Sequence, residues 1–317
     1  MGNVDALIFV DANQYLDLYR TASGKRLLAA LKEQQNHIFM TAQVAEEVQR
    51  RKVEVTAAFL AEQFKELKLR NFGVPDHLFG TTGDRVRRIR GQLQEIHDKI
   101  KAANEELMKL AHDILDQITQ SEDEVSIALA GIFAKAVPHN EGELQRAKVR
   151  KERGNAPGKK ADPLGDQLSR EQILSQCQHK SRLWIIIRDG DYTTEYGGKA
   201  FLNAALYQDL AKLLERAPEV FCFNNIPDGI KHFAETTQVG AEELPTPEEA
   251  EQIKKEQDSL PALGWLSSRM NDAASATILN WKQLRDAAFV SAVSTMINQG
   301  WHPGMAPDPD PPSGTQR

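Results

Sequence analysis

The chain has 317 residues, of which 41% are hydrophobic and 26% charged, with a formal net charge of −6. That composition is that of a soluble globular protein, and the length suits one large or two ordinary domains with a substantial core. The mild acidity argues against a general polyanion-binding surface but leaves room for local basic patches.

Other classes fall away on specific residues. No apolar run reaches membrane-spanning length, and the start MGNVDALIFV has neither a basic leader nor a cleavage-type segment. A cytoplasmic protein with no membrane partner is expected. Cys177 and Cys222 are the only cysteines, which excludes a disulfide scaffold and a cysteine-based zinc site. The eight histidines show no HExxH or paired spacing, so any metal would be bound through oxygen.

In chain order, residues 6–11 read as a buried strand, and Leu27, Leu28 and Leu31 mark an amphipathic helix over 25–35. His37 to Met40 reads as a second strand, and Thr41 can cap a helix entering at Ala42. From about Val53 to Arg150 the strand signal disappears into charged, helix-forming sequence, predicted as several helices. Turns are expected at 71–75, at 81–84 and at Pro138. Within this stretch the cluster Arg85, Arg87, Arg88 and Arg90 is read first as a solvated helix face.

The α/β pattern resumes near Asp162, where Leu168, Ile173 and Cys177 trace a helix face. Leu183 to Arg188 then forms the clearest strand in the chain. Leu202, Leu206 and Leu210 suggest another helix, and Val220 to Phe223 a fourth strand. Strands alternating with helices predict an α/β fold, a three-layer α/β/α sandwich around a parallel sheet. Residues 241–258 read as a solvated connector, residues around 281–299 as a last amphipathic helix, and the Pro-rich tail from 303 as disordered.

Ligands of open parallel sheets bind outside the carboxyl ends of the strands, and acids collect there. Asp11 ends the first strand, although taken alone it is equally a turn-forming helix cap. Of the adjacent Glu46 and Glu47, helical geometry turns Glu47 inward, between Val44 and Val48. Asp166 lies seven residues before Ile173 on the same stripe, where a carboxylate is costly unless paired or metal-bound. Asp162, before Pro163, reads chiefly as a cap. Asp189 and Asp191 follow the strongest strand; a calcium loop fails there because Ala200 stands where the bidentate Glu would be needed.

This arrangement resembles the PIN-domain nucleases. The resemblance rests on Asp11-Ala12-Asn13 after the first strand, Val44-Ala45-Glu46-Glu47 on the second helix, Gly165-Asp166, and Asp189-Gly190-Asp191-Tyr192. It looks most like a larger bacterial subgroup with a helical insertion, and Ile187 departs from the hydroxyl residue usual in the last motif. The resemblance places the nuclease domain at 1–52 and 155–235, a helical insertion at 53–154, a C-terminal helical extension at 236–302 and a disordered tail at 303–317.

It implies a phosphodiester hydrolase in which Asp11, Glu47, Asp166 and Asp189 bind Mg²⁺ or Mn²⁺ and Asp191 assists. Like charges about 4 Å apart repel by roughly 4 kcal/mol at an effective dielectric near 20, so a cation is expected among these acids. Substrate contact is expected from Asn13 and Arg188, and from Arg153, Lys159 and Lys160 in a basic strip over 146–160. The expected partner is single-stranded nucleic acid, RNA in the first place. Open alternatives are a nuclease for single-stranded or flapped DNA and an inert scaffold that binds a partner. An inhibitory protein partner and a homo-oligomer are also left open.

Overall fold

A computed structural model describes residues 5–65, 67–69, 82–157, 164–178 and 180–260. Four short apolar segments build the central sheet: β1 (Ala6–Val10), β2 (Ile38–Phe39), β3 (Arg182–Ile186) and β6 (Glu219–Phe223). All pair in parallel, in the order β2-β1-β3-β6. These are the four strands read from the sequence, and the fold class is as expected.

Parallel neighbours require crossovers, and helices supply them. The first half of the chain carries α1 (Ala12–Asp17), α2 (Lys25–Glu33) and α3 (Ala42–Gln63). Then come α4 (Gly83–Gln120), α5 (Glu124–Phe133), α6 (Glu141–Arg153) and α7 (Gly165–Cys177). After β3 follow α8 (Ala204–Leu214), α9 (Ile226–Thr237) and α10 (Pro247–Ser259).

The sheet is covered on both faces, which is why its strands are apolar throughout rather than alternating. On one face Trp184 packs edge-on against Phe233 of α9, with ring centroids 5.0 Å apart. Gly229 lets α9 approach closely, since a Cβ there would lie 2.5 Å from Ile186. On the other face lie α7 and α8, where Arg170 reaches the Leu206 carbonyl.

Several details differ from the sequence reading. α3 runs unbroken across the boundary expected at 52/53, because Val55, Ala58 and Leu60 continue its buried face. The inserted helices also join the core: Leu129 and Ile132 of α5 are buried, and Val137 bonds to Met40 and Ala42 beside β2.

The connector expected at 241–258 is instead mostly helix α10. Thr246 and Glu249 form a capping box around Pro247 at its start. Ile253 is buried, and Glu256 accepts from the Ser23 backbone N–H and hydroxyl at 2.9 and 2.7 Å. A hairpin, β4 (Thr193–Tyr196) with β5 (Lys199–Leu202), follows the last acidic motif and was not foreseen. Its two-residue turn, Gly197-Gly198, has φ of 59° and 76°, the left-handed region that a tight hairpin turn demands. Of the turn expected at 81–84, Thr82 caps and Gly83 and Asp84 begin α4; the turn expected at 71–75, the helix around 281–299 and the tail from 303 lie outside the described residues.

Candidate active site at the carboxyl ends of β1 and β3

The sheet ladder runs into the first acid: Asp11 N donates to the Ile186 carbonyl at 3.0 Å, one step past the Val10–Ile186 pair. Asp11 then caps α1, accepting from the Asn13 backbone N–H at 3.2 Å. On β3, Ile187 N continues the ladder to Phe223, and the chain turns at Asp189, whose Oδ1 accepts from Asp191 N at 2.9 Å. Asp11 thus takes the cap role and Asp189 the turn role that the sequence offered for them, both at the carboxyl ends of their strands.

Two helices bring the other acids. Thr41 caps α3 by accepting from Val44 N at 3.1 Å, and its hydroxyl lies 3.4 Å from that of Ser169 on α7. Gly165 permits this approach, because a Cβ there would come within 2.7 Å of the Gln43 side chain. Asp166 follows directly on α7, and Glu47 lies one turn beyond Gln43 on α3. Glu47 is half-buried and Glu46 exposed, as the Val44–Val48 spacing required.

Electrostatics ties these acids together. Burial, joined by the nearby charges of Asp166 and Glu47, raises the Asp11 carboxyl to about 7. Tyr192 sits in the same field: burial raises its hydroxyl well above the ordinary value, with Asp166, Asp11 and Asp189 adding to the shift and Arg170 opposing it. That hydroxyl donates to the Asp166 backbone carbonyl at 3.0 Å, linking the β3 turn to the start of α7. The sequence reading assigned Tyr192 no role, although it directly follows Asp191.

The acids share a field without yet forming a coordination shell. Glu47 Oε1 pairs with Arg51 Nη1 at 2.9 Å along its own helix. Among the described residues, no three His, Cys, Asp or Glu side chains gather tightly enough to hold a metal ion as they stand. The convergence expected from the sequence is thus looser than a ready-made metal centre.

The donor chemistry nonetheless fits a hard cation. Every acid offers oxygen only. The side-chain oxygen of Asn13 is buried beside Asp11 with no hydrogen-bond partner, and a buried acceptor without a partner is costly. The Asp11 carboxyl is raised first by its burial and then by the like charges of Asp166 and Glu47. The thiols of the buried Cys177 and the half-buried Cys222, both pushed up to about 12 by desolvation, offer no thiolate ligand or nucleophile at neutral pH.

The expected substrate contacts divide. Arg153 is exposed at the end of α6, whereas Lys159, Lys160 and Asp162 lie outside the described residues. Arg146 and Arg150 of the same basic strip are committed elsewhere: both bond Glu171 on α7, at 2.8 and 2.9 Å, and Arg150 also reaches Asp209 on α8. Arg188 points away from the role expected of it. Its guanidinium pairs with the buried Asp17 at 2.9 Å and donates to the Asn224 carbonyl at 3.2 Å, so its charge fixes the loops rather than standing free for a phosphate.

These features define a parallel α/β protein of nuclease-type fold, with an acidic site at the carboxyl ends of its central strands. A family model described as a PIN-like domain matches residues 7–190, more than half of the chain, and the chain belongs to that family. Comparison with curated proteins and with solved structures found no match. Among the described residues, no helix is long and apolar enough to cross a membrane.

Proposed function

We propose that the protein is a metal-dependent nuclease that hydrolyses phosphodiester bonds, with single-stranded RNA as its substrate. The observation that carries this reading is the Asp11 carboxyl, raised to about 7 by burial and by Asp166 and Glu47. Such a concentration of negative charge at strand ends has a use when a divalent cation joins it.

Asp11, Glu47, Asp166 and Asp189 would hold Mg²⁺ or Mn²⁺. When bound, such an ion would act as a Lewis acid toward phosphate and lower the pKa of water. The chain's own groups then have distinct tasks. Asp11 gives up its proton on entering the active form. Asn13, through its unpartnered carbonyl oxygen, orients a donor such as water in the site. Tyr192 positions Asp166 through its backbone, and Asp191 fixes the orientation of the Asp189 carboxylate. The exposed Arg153 attracts the phosphate backbone from the rim.

The pairing of Glu47 with Arg51 and the loose gathering of the acids support a second reading, an inert PIN-like scaffold that binds a partner. One assay separates the two. Wild-type protein, Asp11→Asn and Asp166→Asn are incubated with matched single-stranded RNA and DNA, in Mg²⁺, Mn²⁺ or EDTA. The proposal expects EDTA-sensitive RNA cleavage that both substitutions abolish. Undiminished cleavage by the variants would overturn the site assignment, preferential DNA cleavage the substrate, and no cleavage under any condition the enzyme.

A further inference from the structure

The hairpin of β4 and β5 pairs Thr194 with Phe201 and Tyr196 with Lys199. Successive strand residues point to opposite faces, so Thr194, Tyr196, Lys199 and Phe201 share one face. Thr193, Glu195, Ala200 and Leu202 share the other.

The two faces differ in what surrounds them. On the inner face Thr193 is buried and Leu202 packs against the core, while Glu195 accepts from the Asn224 side chain at 2.8 Å, just past β6. The outer face stands in solvent: Tyr196 is 82% exposed and Phe201 47%, with Thr194 and Lys199 exposed beside them. Lys199 lies opposite Tyr196, and its Nζ is 5.3 Å from the Phe201 ring centroid. Tyr196 and Phe201 are diagonal neighbours, their backbones about 7–8 Å apart. Two rings and a cation thus form one exposed surface.

This surface is rooted at the acidic site. Asn203, directly after β5, donates its backbone N–H to the Tyr192 carbonyl at 2.8 Å and its side-chain amide to the Asp191 carbonyl at 3.4 Å. Tyr192 in turn donates to the Asp166 carbonyl, and the Asn224 carbonyl accepts from Arg188 beside Asp189. β4 starts two residues after Asp191 and carries Tyr196 about 10 Å beyond Thr193.

The net charge of −6 and the acids themselves give a phosphate backbone little long-range attraction, so affinity for a strand needs another source. Aromatic rings supply one, because every unpaired base has a π-face that stacks on them. A duplex keeps its bases stacked on each other and cannot use it. A lysine between two rings suits the phosphate that joins two stacked bases.

We propose that Tyr196 and Phe201, with Lys199 between them, form a stacking platform that holds unpaired bases of single-stranded RNA beside the acids. The proposal rests on the nuclease reading above and makes this hairpin the determinant of selectivity for single strands over duplex.

Fluorescence anisotropy of a labelled single-stranded RNA of about 12 nucleotides, mixed with the full chain in EDTA at low salt, reads binding without cleavage. Tyr196→Ala and Phe201→Ala should each weaken binding by roughly tenfold, with an unchanged far-ultraviolet circular dichroism spectrum. Tyr196→Phe keeps the ring and should bind as wild type does. Lys199→Gln should weaken binding and reduce its salt dependence by about one phosphate contact. The same RNA annealed to its complement should bind roughly tenfold more weakly than the single strand. Absence of binding by wild type, alanine variants that bind as tightly as wild type, or equal binding of the duplex would each overturn the platform. So would a wild-type dimer, seen by sedimentation velocity, that Tyr196→Ala dissociates, since the face would then belong to self-association. Ring-dependent binding by a chain that never cleaves would sink the nuclease reading alone, and RNA cleavage with binding indifferent to the rings would sink the platform alone.

Discussion

Arg188 and Asp17 form an ion pair of 2.9 Å, and Asp17 is 1% exposed. Asp17 closes α1, the helix that Asp11 opens, while Arg188 precedes Asp189. The pair therefore ties together the two loops that carry strand-end acids. Arg20 binds the same carboxylate at 2.7 Å, so one buried acid pairs with two guanidinium groups. Removing one partner of a buried pair leaves a charge without compensation. Asp17→Asn should lower the unfolding free energy by roughly 3–5 kcal/mol, measured by chemical denaturation. Arg188→Met should cost about 1–2 kcal/mol, because Arg20 still pairs with Asp17.

Asp11 makes stability depend on pH with a definite sign. Its carboxyl is raised from 3.8 to about 7 in the fold, so the folded state holds the proton more tightly than the unfolded chain. The stabilisation is complete below about pH 4 and is lost as pH rises through about 7. Metal-free wild type should therefore lose stability over this window, by on the order of 3 kcal/mol. Asp11→Asn keeps a good helix cap but cannot ionise, so it should flatten the profile and be more stable than wild type at pH 8. Denaturation midpoints of both proteins across pH 4–8 give the comparison; parallel profiles would contradict the assignment.

Divalent cations should stabilise the fold through the same acids. At a hundredfold excess over its dissociation constant, a cation that binds only the folded state contributes about 2.7 kcal/mol, equivalent to a rise in melting temperature of roughly 5 °C for a chain of this size. Thermal melts with Mn²⁺ and with EDTA should show this for wild type. The shift should be much smaller for Asp166→Asn, and larger at pH 8 than at pH 6, where Asp11 retains its proton.

Tyr192→Phe removes a single hydroxyl, the donor to the Asp166 carbonyl at 3.0 Å. Loss of that hydrogen bond should cost about 1 kcal/mol in stability. If Tyr192 positions Asp166, the variant should also lower the cleavage rate while leaving RNA affinity unchanged. A lower affinity at an unchanged rate would instead place Tyr192 in substrate binding.

Much of this architecture was legible before any coordinates. The four sheet strands are short apolar runs, and a strand covered on both faces must be such a run. The choice of Glu47 over Glu46 needed only the periodicity of a helix anchored at Val44 and Val48. Two missed elements also had local signals: Gly197-Gly198 between β-prone segments for the hairpin, and Thr246-Pro247 with Glu249 for the start of α10. At 241–258 the run of charges outweighed the cap chemistry, and Leu202, which ends β5, was read as part of the following helix. Tyr192 and the Asp17–Arg188 pair left no comparable trace. An aromatic after an acidic turn and an arginine after a strand are ordinary until the residues opposite them are known.

Strand ends, helix faces and caps depend on neighbours within a few positions, so the amino-acid order alone located the acids and the edge of the sheet on which they stand. Which charges are neutralised depends on residues far apart in the chain. Asp17 lies 171 positions from Arg188, and Asp11 lies 155 from Asp166. Coulomb interactions fall with distance in space, not along the sequence. Only the folded chain therefore decided that Asp11 holds its proton near neutrality and that the Arg188 charge is spent on Asp17.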